Sequence, residues 1–360
     1  MKPETVRRDV RVGKGLALLR KHPRGKIAVQ CENQRIIVIS QTIKKTLVCA
    51  VVTLAATFGA MSHSGAQETK LRVSTIPIFD NAAFEVAVRK NFFKDEGLLV
   101  DTTPTPGGST GIPALVAGQL QFASSNIVTI LIAAAQGLNP VMVAAGDTTS
   151  DAPPDLAGLV AKKGATFKTG KDLEGKTIAV NARNNILWLY AREWIEKTKG
   201  DPSKVTIVEV PFPQMTDAVQ NGRVDAAMLV EPFLSAGIKG GTLDLVDWPY
   251  SVVQKRIPVA QFVTTKAYAD ANPEIVAKFT KAHDRGVDWA TQNGKTEEFR
   301  QIVSTFTKVP VDRIAESAQP VFVKKVNVAA VEQVAAFMKK QGLLKTDVDV
   351  KAIIHPSIRE

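Results

Sequence analysis

Cysteine is almost absent from this sequence: the 360 residues contain two, Cys31 and Cys49. Both precede residue 67, the expected start of the mature chain, which would therefore hold no disulfide, thiol nucleophile or cysteine-ligated metal. Histidine is scarce as well, since only His283 and His355 follow residue 66, and they do not have metal-site spacing. The sequence also lacks the G-x-S-x-G, G-x-x-x-x-G-K-S/T and G-x-G-x-x-G motifs. These absences predict a protein that is not an enzyme and that carries no cofactor or metal.

Residues 44–66 have the pattern of a signal peptide. Two lysines precede an apolar run at 46–61, which is too short to span a bilayer comfortably. Ser64-Gly65-Ala66 follows as a small-x-small cleavage site. We therefore predict export to the periplasm, with the cut between Ala66 and Gln67. A membrane anchor or a buried helix is the alternative interpretation.

The positive charge of the chain is concentrated in its first residues. The formal net charge is +11, of which residues 1–66 carry +9 and residues 67–360 only +2. A nearly neutral mature chain does not support a nucleic-acid partner. Residues 1–43 are basic and unpatterned, and they stay unassigned. Either translation starts downstream, near Val38, or these residues form a disordered extension.

A sequence pattern that occurs twice predicts the fold. Residues 114–123 and 218–227 carry Ala, Leu/Val, Gly, Leu/Val, Gln/Asp and Ala in the same order and spacing. In both halves the surrounding pattern predicts strand–loop–helix–strand–loop–helix–strand, which is typical of a parallel sheet with helices on both faces. We predict an α/β fold of two similar lobes with a ligand cleft between them. Lobe one comprises 67–158 plus 260–360, and lobe two comprises 159–259. A buried strand is predicted at 224–230, followed by a loop that includes Phe233, and residues 266–342 are predicted to be helical.

Polar loops follow the predicted strands of both halves, at 77–81, 107–110, 124–126 and 181–185. In open α/β sheets, ligands lie beyond the carboxyl ends of the strands, where unpaired N–H groups of helix N-termini favour polar or anionic groups. Arg183 could pair with an anionic solute, and Glu231 could accept hydrogen bonds from a solute or bond lobe one when the lobes close. Helix caps and salt bridges are the structural alternatives for these residues. The predicted ligand-binding residues are Phe79, Asp80, Asn81, Gly107, Gly108, Ser109, Thr110, Ser124, Ser125, Asn126, Asn181, Arg183, Asn184, Asn185 and Glu231.

Three motifs give the chain a family resemblance: Asp-Leu-Glu-Gly-Lys-Thr-Ile-Ala-Val at 172–180, Gly-Arg-Val-Asp-Ala-Ala at 222–227 and Val-Glu-Pro-Phe at 230–233. With them, about residues 70–345 resemble the nitrate/sulfonate/taurine-type substrate-binding proteins of ATP-driven importers, a group that includes binders of thiamine-pyrimidine precursors. The resemblance implies a two-lobed type II periplasmic-binding-protein fold. Each lobe would be a mostly parallel sheet flanked by helices, with two hinge crossings near 159–161 and 259–263.

The resemblance also implies a function. The protein would capture a small polar or anionic organic solute in the cleft, as a monomer, and deliver it to an inner-membrane ABC permease with its ATPase. The loop at 181–185 departs from the Gly-Ser-rich loop of many sulfonate binders, which leaves anionic, amide-bearing and heteroaromatic solutes open. Two alternatives are a related enzyme that makes the thiamine pyrimidine and the effector domain of a transcription regulator. The first needs a cysteine-rich motif and the second a DNA-binding module at the N-terminus.

Overall fold

The computed structural model describes residues 18–21, 27–30 and 68–360. Strands β1 (Leu18–Lys21) and β2 (Ile27–Gln30) pair antiparallel and belong to a unit separate from the one that starts at Ala66. The predicted signal peptide, its cleavage site and the remainder of residues 1–43 lie outside the described residues. None of the described helices combines the length and apolarity that crossing a bilayer requires.

Strands and helices alternate from Thr69 onward. The strands are β3 (Thr69–Thr75), β4 (Leu98–Pro104), β5 (Phe122–Asn126), β6 (Pro140–Ala145), β7 (Asp147–Thr148), β8 (Ala157–Lys162), β9 (Thr177–Val180), β10 (Thr206–Glu209), β11 (Ala226–Val230), β12 (Leu243–Asp247), β13 (Ala260–Thr265) and β14 (Val321–Phe322). The α-helices are α1 (Ala82–Arg89), α2 (Phe92–Asp95), α3 (Gly108–Val116), α4 (Ile127–Ala135), α5 (Ile186–Lys197), α6 (Phe212–Gln220), α7 (Phe233–Lys239), α8 (Pro249–Val253), α9 (Lys266–Ala271), α10 (Pro273–Asn293), α11 (Glu297–Thr307), α12 (Val311–Ile314) and α13 (Val328–Lys340). Short 3-10 helices occupy Phe79–Asn81, Gly170–Leu173, Pro202–Lys204 and Pro356–Ile358.

The two main sheets have the same topology. The order is β4-β3-β5-β13-β6 in lobe one and β10-β9-β11-β8-β12 in lobe two. In each sheet the first three strands are parallel, and the fourth is antiparallel to both of its neighbours. That antiparallel strand is the one that enters from the other lobe, β13 in the first sheet and β8 in the second. These two strands are the predicted hinge crossings, and the duplicated α/β architecture is confirmed.

The stretch at 211–233 shows how the sequence produces one such repeat. Helix α6 buries Phe212, Met215 and Val219, and Gly222 ends the turn that follows it with a φ of +68°, a conformation in which glycine is unstrained. Strand β11 is buried at all five positions because helices cover both faces of its sheet. The strand starts at Ala226, two residues later than predicted.

Several local predictions were wrong. Residues 79–81 and 108–110, expected in loops, form a 3-10 helix and the first turn of α3, and Phe233 begins helix α7. Ser124 and Ser125 lie inside strand β5, not in a loop after it, and only Asn126 caps helix α4. Residues 266–342, expected to be helical, comprise five helices interrupted by turns and by β14.

An aromatic stack fills the core between the lobe-one sheet and helices α1 and α10. Phe122 lies parallel to Phe279 with ring centroids 4.0 Å apart, and Phe84 stacks on Phe262 at 4.5 Å. Gly286 lets α10 approach α1, since a Cβ there would collide with the carbonyl oxygen of Ala83. This packing fixes α1, and with it the segment at 79–81 that precedes the helix.

Candidate functional site

A cleft separates the carboxyl ends of the parallel strands of the two sheets. It contains an apolar cavity of about 160 Å³ to which both lobes contribute. In lobe one the lining follows β3 and β4, and in lobe two it follows β10 and β11, as expected for ligand sites of open α/β sheets. The lining residues are Ile76, Pro77, Pro104, Thr105, Pro106, Pro211, Phe212, Pro213 and Phe233.

Hydrogen bonds join the lobes around this cavity. The amide of Asn181 in lobe two donates to the carbonyl oxygen of Pro106 in lobe one at 3.2 Å. The backbone N–H of Phe79 donates to the carbonyl oxygen of Glu231 at 3.0 Å. The cleft is therefore closed over the cavity at these two points.

The segment at 79–81 is buried beside the hinge. Phe79 packs against Phe299 with ring centroids 5.7 Å apart, so its ring belongs to the core of lobe one. Asn81 donates to the carbonyl oxygen of Ile76 at 2.7 Å and accepts from the hydroxyl of Ser124 at 2.8 Å. These two bonds fix the loop that places Ile76 and Pro77 in the cavity wall.

The N-terminus of α3 lies directly over the carboxyl end of β5. Gly107 and Gly108 are buried, whereas Ser109 and Thr110 are exposed. A Cβ at Gly108 would collide with the hydroxyl of Ser125, so only glycine allows this approach. The predicted site residues at 107–110 thus form the N-cap and first turn of α3, and they are adjacent to Ser125, which is a strand residue.

The loop at 181–185 is held by its own side chains. Asn185 caps α5 by accepting from the N–H of Trp188 at 3.1 Å, and its amide donates to Asn181 at 2.6 Å. Arg183 and Asn184 are exposed, and the backbone N–H of Arg183 donates to the Glu209 carboxylate at 2.7 Å. The structure thus brings Asn181 and Asn185 together at the cleft and leaves the side chain of Arg183 in solvent.

Glu231 is buried and bonded to both sides of the hinge. Its carboxylate accepts from the hydroxyl and N–H of Ser235 in lobe two, at 2.7 and 3.1 Å, and from the N–H of Ala318 at 3.1 Å. Burial raises the pKa of Glu231, whereas these hydrogen bonds lower it. The carboxylate ties α7 to the segment that follows α12.

A second set of buried acids lies between the hinge strands and lobe one. Burial is the main cause of the raised pKa values of Asp80, Asp147 and Asp155. The pKa of Asp80 rises to about 7, and that of Asp147 rises well above the ordinary range. Asp155 accepts hydrogen bonds from Leu156 N–H at 2.8 Å and from Ser251. Asp80 and Asp147 lie within hydrogen-bond reach of each other, and each keeps one oxygen without a donor.

The described residues contain no group of three or more His, Cys, Asp or Glu side chains arranged to hold a metal ion. His283 is fully buried against Phe262, with ring centroids 5.2 Å apart, and neither ring nitrogen has a partner. Burial lowers the pKa of His283 to about 4, so the ring is neutral at pH 7. Its place in the helical stripe of α10 is that of a core residue.

None of the nine residues that line the cavity is among the predicted ligand-binding residues. The proline and phenylalanine residues of 211–213 and 104–106 carry no hydrogen-bonding side chain, so a search for polar loops passes over them. Only their position could have indicated a ligand site, because they lie at or just after the carboxyl ends of β4 and β10.

Comparisons with known proteins agree with this architecture. The model of the family described as NMT1/THI5 like matches residues 78–296. The taurine-binding periplasmic protein of Escherichia coli is 27% identical over 66% of this chain and 69% of its own length. The binding protein YtlA of Bacillus subtilis is 27% identical over 70% of this chain and 75% of its own.

Solved structures show the same fold at low identity. The alkanesulfonate-binding protein SsuA from Xanthomonas axonopodis pv. citri, bound to MOPS, has a TM-score of 0.69 and 17% identity, over 82% of this chain and 100% of that one. The periplasmic nitrate-binding protein NrtA from Synechocystis PCC 6803 has a TM-score of 0.69 and 17% identity, over 79% and 84% of the two chains. The predicted type II periplasmic-binding-protein fold is confirmed.

Proposed function

This chain belongs to the NMT1/THI5-like family, and we propose that it is the solute-binding component of an ABC-type importer. One observation carries the proposal: an apolar cavity lies between two sheets of identical topology, at the carboxyl ends of their parallel strands. Relatives named as binding proteins for taurine, alkanesulfonates and nitrate share the fold. The protein captures a small organic solute in the periplasm and delivers it to a permease driven by an ATPase.

The cavity specifies part of the solute. An apolar cavity of about 150 Å³ holds a molecule of the size of benzene, and the volume here is about 160 Å³. Phe212 and Phe233 of lobe two form one face of the cavity, and their rings are parallel with centroids 6.0 Å apart. The prolines of lobe one form the other face. A compact apolar group of the solute fits between them, while its polar groups lie toward the residues at 107–110 and 181–185.

Binding proceeds without chemistry in this proposal. The solute enters when the lobes part, and closure restores the bonds from Asn181 to Pro106 and from Phe79 to Glu231 around it. Glu231 acts as the latch because its carboxylate bonds both lobes. The absence of cysteine from residues 67–360 and the burial of His283 in a phenylalanine-rich core support a binding protein over a related enzyme. The protein works as a monomer and does not bind nucleic acid.

A thermal-shift screen of the purified full-length chain tests this function. The solutes are alkanesulfonates, taurine, nitrate, aromatic carboxylates, pyrimidines and amines. A solute at about a hundred times its Kd stabilises the folded state by roughly 2.7 kcal/mol, which raises Tm by several degrees. A shift with one solute class supports the proposal. No shift with any solute, and no small molecule released on denaturation, contradicts it.

Substitutions test whether the solute binds in the cleft. Phe212→Ala removes an aromatic wall of the cavity, and we expect it to weaken binding of the solute at least tenfold. Val116→Ala is the matched control, because Val116 is exposed at the far end of α3. Equal loss in both variants would argue against the cavity as the site. If the solute is anionic, and the exposed Arg183 side chain turns toward it on binding, Arg183→Ala weakens binding more than tenfold, or by about 1.4 kcal/mol. An unchanged Kd removes Arg183 from the site.

A further inference from the structure

We propose that the cleft cavity binds an aromatic hydrocarbon ring of the solute and excludes oxyanions, so that the ring determines which solute is captured. The inference rests on the proposed function and specifies its solute as an aryl compound. The polar group of that compound stays outside the cavity. Nitrate and taurine, which have no ring, are poor solutes in this proposal.

Prolines from both lobes make up most of the cavity wall. A proline has no backbone N–H, so it cannot donate a hydrogen bond. None of the nine described residues that line the cavity carries a charge. Five of the nine are prolines, namely Pro77, Pro104, Pro106, Pro211 and Pro213.

The one side-chain hydroxyl among these nine residues is already used as a donor. The Thr105 hydroxyl donates to the carbonyl oxygen of Thr75 at 3.2 Å, and the Thr105 N–H donates to the same oxygen at 2.7 Å. Among the lining residues, at most the N–H groups of Ile76, Phe212 and Phe233 remain as donors. The wall therefore offers few hydrogen bonds to an oxygen of the solute.

Helix α6 begins at this wall, but its first turn is poor in donors. The N-cap is Pro211 and the second helical residue is Pro213, so neither position has an N–H. The N–H of Gln214 donates back to the carbonyl oxygen of Pro211 at 2.9 Å. An anion at a helix N-terminus is bound through free N–H groups, and here only that of Phe212 is left in the first three positions.

An oxyanion is a poor occupant of such a cavity. Sulfonate, nitrate and carboxylate spread their charge over several oxygens, each of which gives up hydrogen bonds to water on burial. A buried charge without a counter-ion or enough donors is costly. A hydrocarbon ring gives up no hydrogen bond, and its burial is favourable. The wall therefore discriminates through what it cannot donate.

The size and the aromatic face of the cavity favour a ring over a linear alkyl group. The cavity has about the volume that holds benzene in an apolar protein interior. The rings of Phe212 and Phe233 lie with 11° between their planes. A third aromatic ring can pack offset or edge-on against this pair, which adds roughly twofold to tenfold in affinity beyond burial. A saturated group of similar size gains the burial alone.

Contact between the lobes is the alternative role for these apolar residues. Surfaces that serve only to hold protein together pack with few gaps larger than a water molecule. A space of about 160 Å³ lies between these residues instead. Because Phe212 belongs to lobe two and Pro104 to lobe one, a ring in this space contacts both lobes and stabilises their closure.

The experiment uses probes that share a polar group and differ in their apolar body. The full-length chain is titrated by calorimetry with benzoate, cyclohexanecarboxylate and acetate, and with benzenesulfonate and methanesulfonate. We expect each aryl probe to bind at least tenfold more tightly than the methyl probe with the same anion. Benzoate should also bind at least twofold more tightly than cyclohexanecarboxylate. Nitrate should not displace benzoate.

A variant and a spectroscopic measurement locate the ring. Phe212→Leu keeps an apolar wall and removes one aromatic ring, so we expect the preference for benzoate over cyclohexanecarboxylate to disappear. The control Val116→Ala, at an exposed position, leaves that preference unchanged. Proton NMR of benzoate with the wild-type chain should show its ring signals shifted upfield by the phenylalanine rings, which is a test that does not depend on the folding of a variant.

The outcomes separate this inference from the importer function. Equal affinity for aryl and methyl probes, or for benzoate and cyclohexanecarboxylate, overturns the aromatic ring as the determinant. Benzoate binding with no upfield shift, or with a preference that Phe212→Leu leaves intact, places the ring elsewhere and overturns the inference as well. If ringless anions bind more tightly and Phe212→Ala weakens them, the importer function stands and the inference falls. If none of these probes binds, the inference falls, and the importer function falls with it only when the thermal-shift screen also gives no shift and no released molecule.

Discussion

Asp80→Asn should change how the stability of the folded protein depends on pH. Burial raises the pKa of Asp80 from 3.8 to about 7. In the range between these values the folded state keeps a proton that the unfolded chain releases, so stability falls as pH rises. The asparagine has nearly the same shape and cannot ionise. Replacing the aspartate should therefore remove this loss.

The size of the effect follows from the two pKa values. Ionisation of the Asp80 carboxyl lowers the free energy of unfolding, and this loss grows by about 2.5 kcal/mol between pH 5 and pH 8. Asp147 acts in the same direction, because its pKa is also raised. His283 acts in the opposite direction: its pKa is lowered to about 4, so its contribution is lost as pH falls below 6.5. His283 is present in both proteins and cancels in the difference between them.

Urea denaturation at several pH values between 5 and 8 measures this difference. We expect the free energy of unfolding of Asp80→Asn, relative to that of the wild type, to increase by roughly 2 to 3 kcal/mol as pH rises through this range. Asp101→Asn is the control, and its curve should stay parallel to that of the wild type because its side chain is exposed. Parallel curves for Asp80→Asn and the wild type would show that the Asp80 carboxyl ionises normally, which would refute the argument for an unpaired buried acid.

Three further substitutions test the packing that holds the cleft, each by urea denaturation. Gly286→Ala forces α10 away from Ala83 and should cost about 1–3 kcal/mol; a neutral result would mean that the two helices separate freely. Asn126→Ala removes the cap of α4 and should cost about 1 kcal/mol; no change would show that the capping bond is replaced. Glu231→Ala leaves the N–H of Ala318 without its partner and should cost about 1–3 kcal/mol. Unaltered stability would show that the bonds of the Glu231 carboxylate do not hold the two lobes together, which would contradict its proposed role as the latch.

The sequence was sufficient to predict the duplicated topology. The repeated pattern at 114–123 and 218–227 corresponds to α3–β5 and α6–β11, which occupy equivalent places in the two sheets. Such a prediction succeeds because glycine positions and apolar runs act locally. The family resemblance added the type II fold and the two crossings, which local patterns cannot provide, since the antiparallel strands β8 and β13 pair with residues far away in sequence.

The site was predicted less completely, for a physical reason. Ser124 and Ser125 are typical of loops and caps, yet tertiary pairing with β13 extends β5 through both. Conversely, Phe212 and Pro106 line the cavity, although their side chains have no hydrogen-bonding group that would indicate a ligand site. Whether a polar residue meets a ligand depends on how the two lobes close, and sequence patterns report only the nearest neighbours along the chain.

The duplication itself provides an internal comparison of the two lobes. Asn81 directly precedes α1, and Asn185 directly precedes α5. Asn185 caps its helix by accepting from the N–H of Trp188. The side chain of Asn81 instead donates to the carbonyl oxygen of Ile76 and accepts from the hydroxyl of Ser124, so α1 has no side-chain cap. The same residue at the same point of the repeat therefore fixes a loop in lobe one and a helix end in lobe two, because in lobe one tertiary packing places Ser124 within reach of the asparagine.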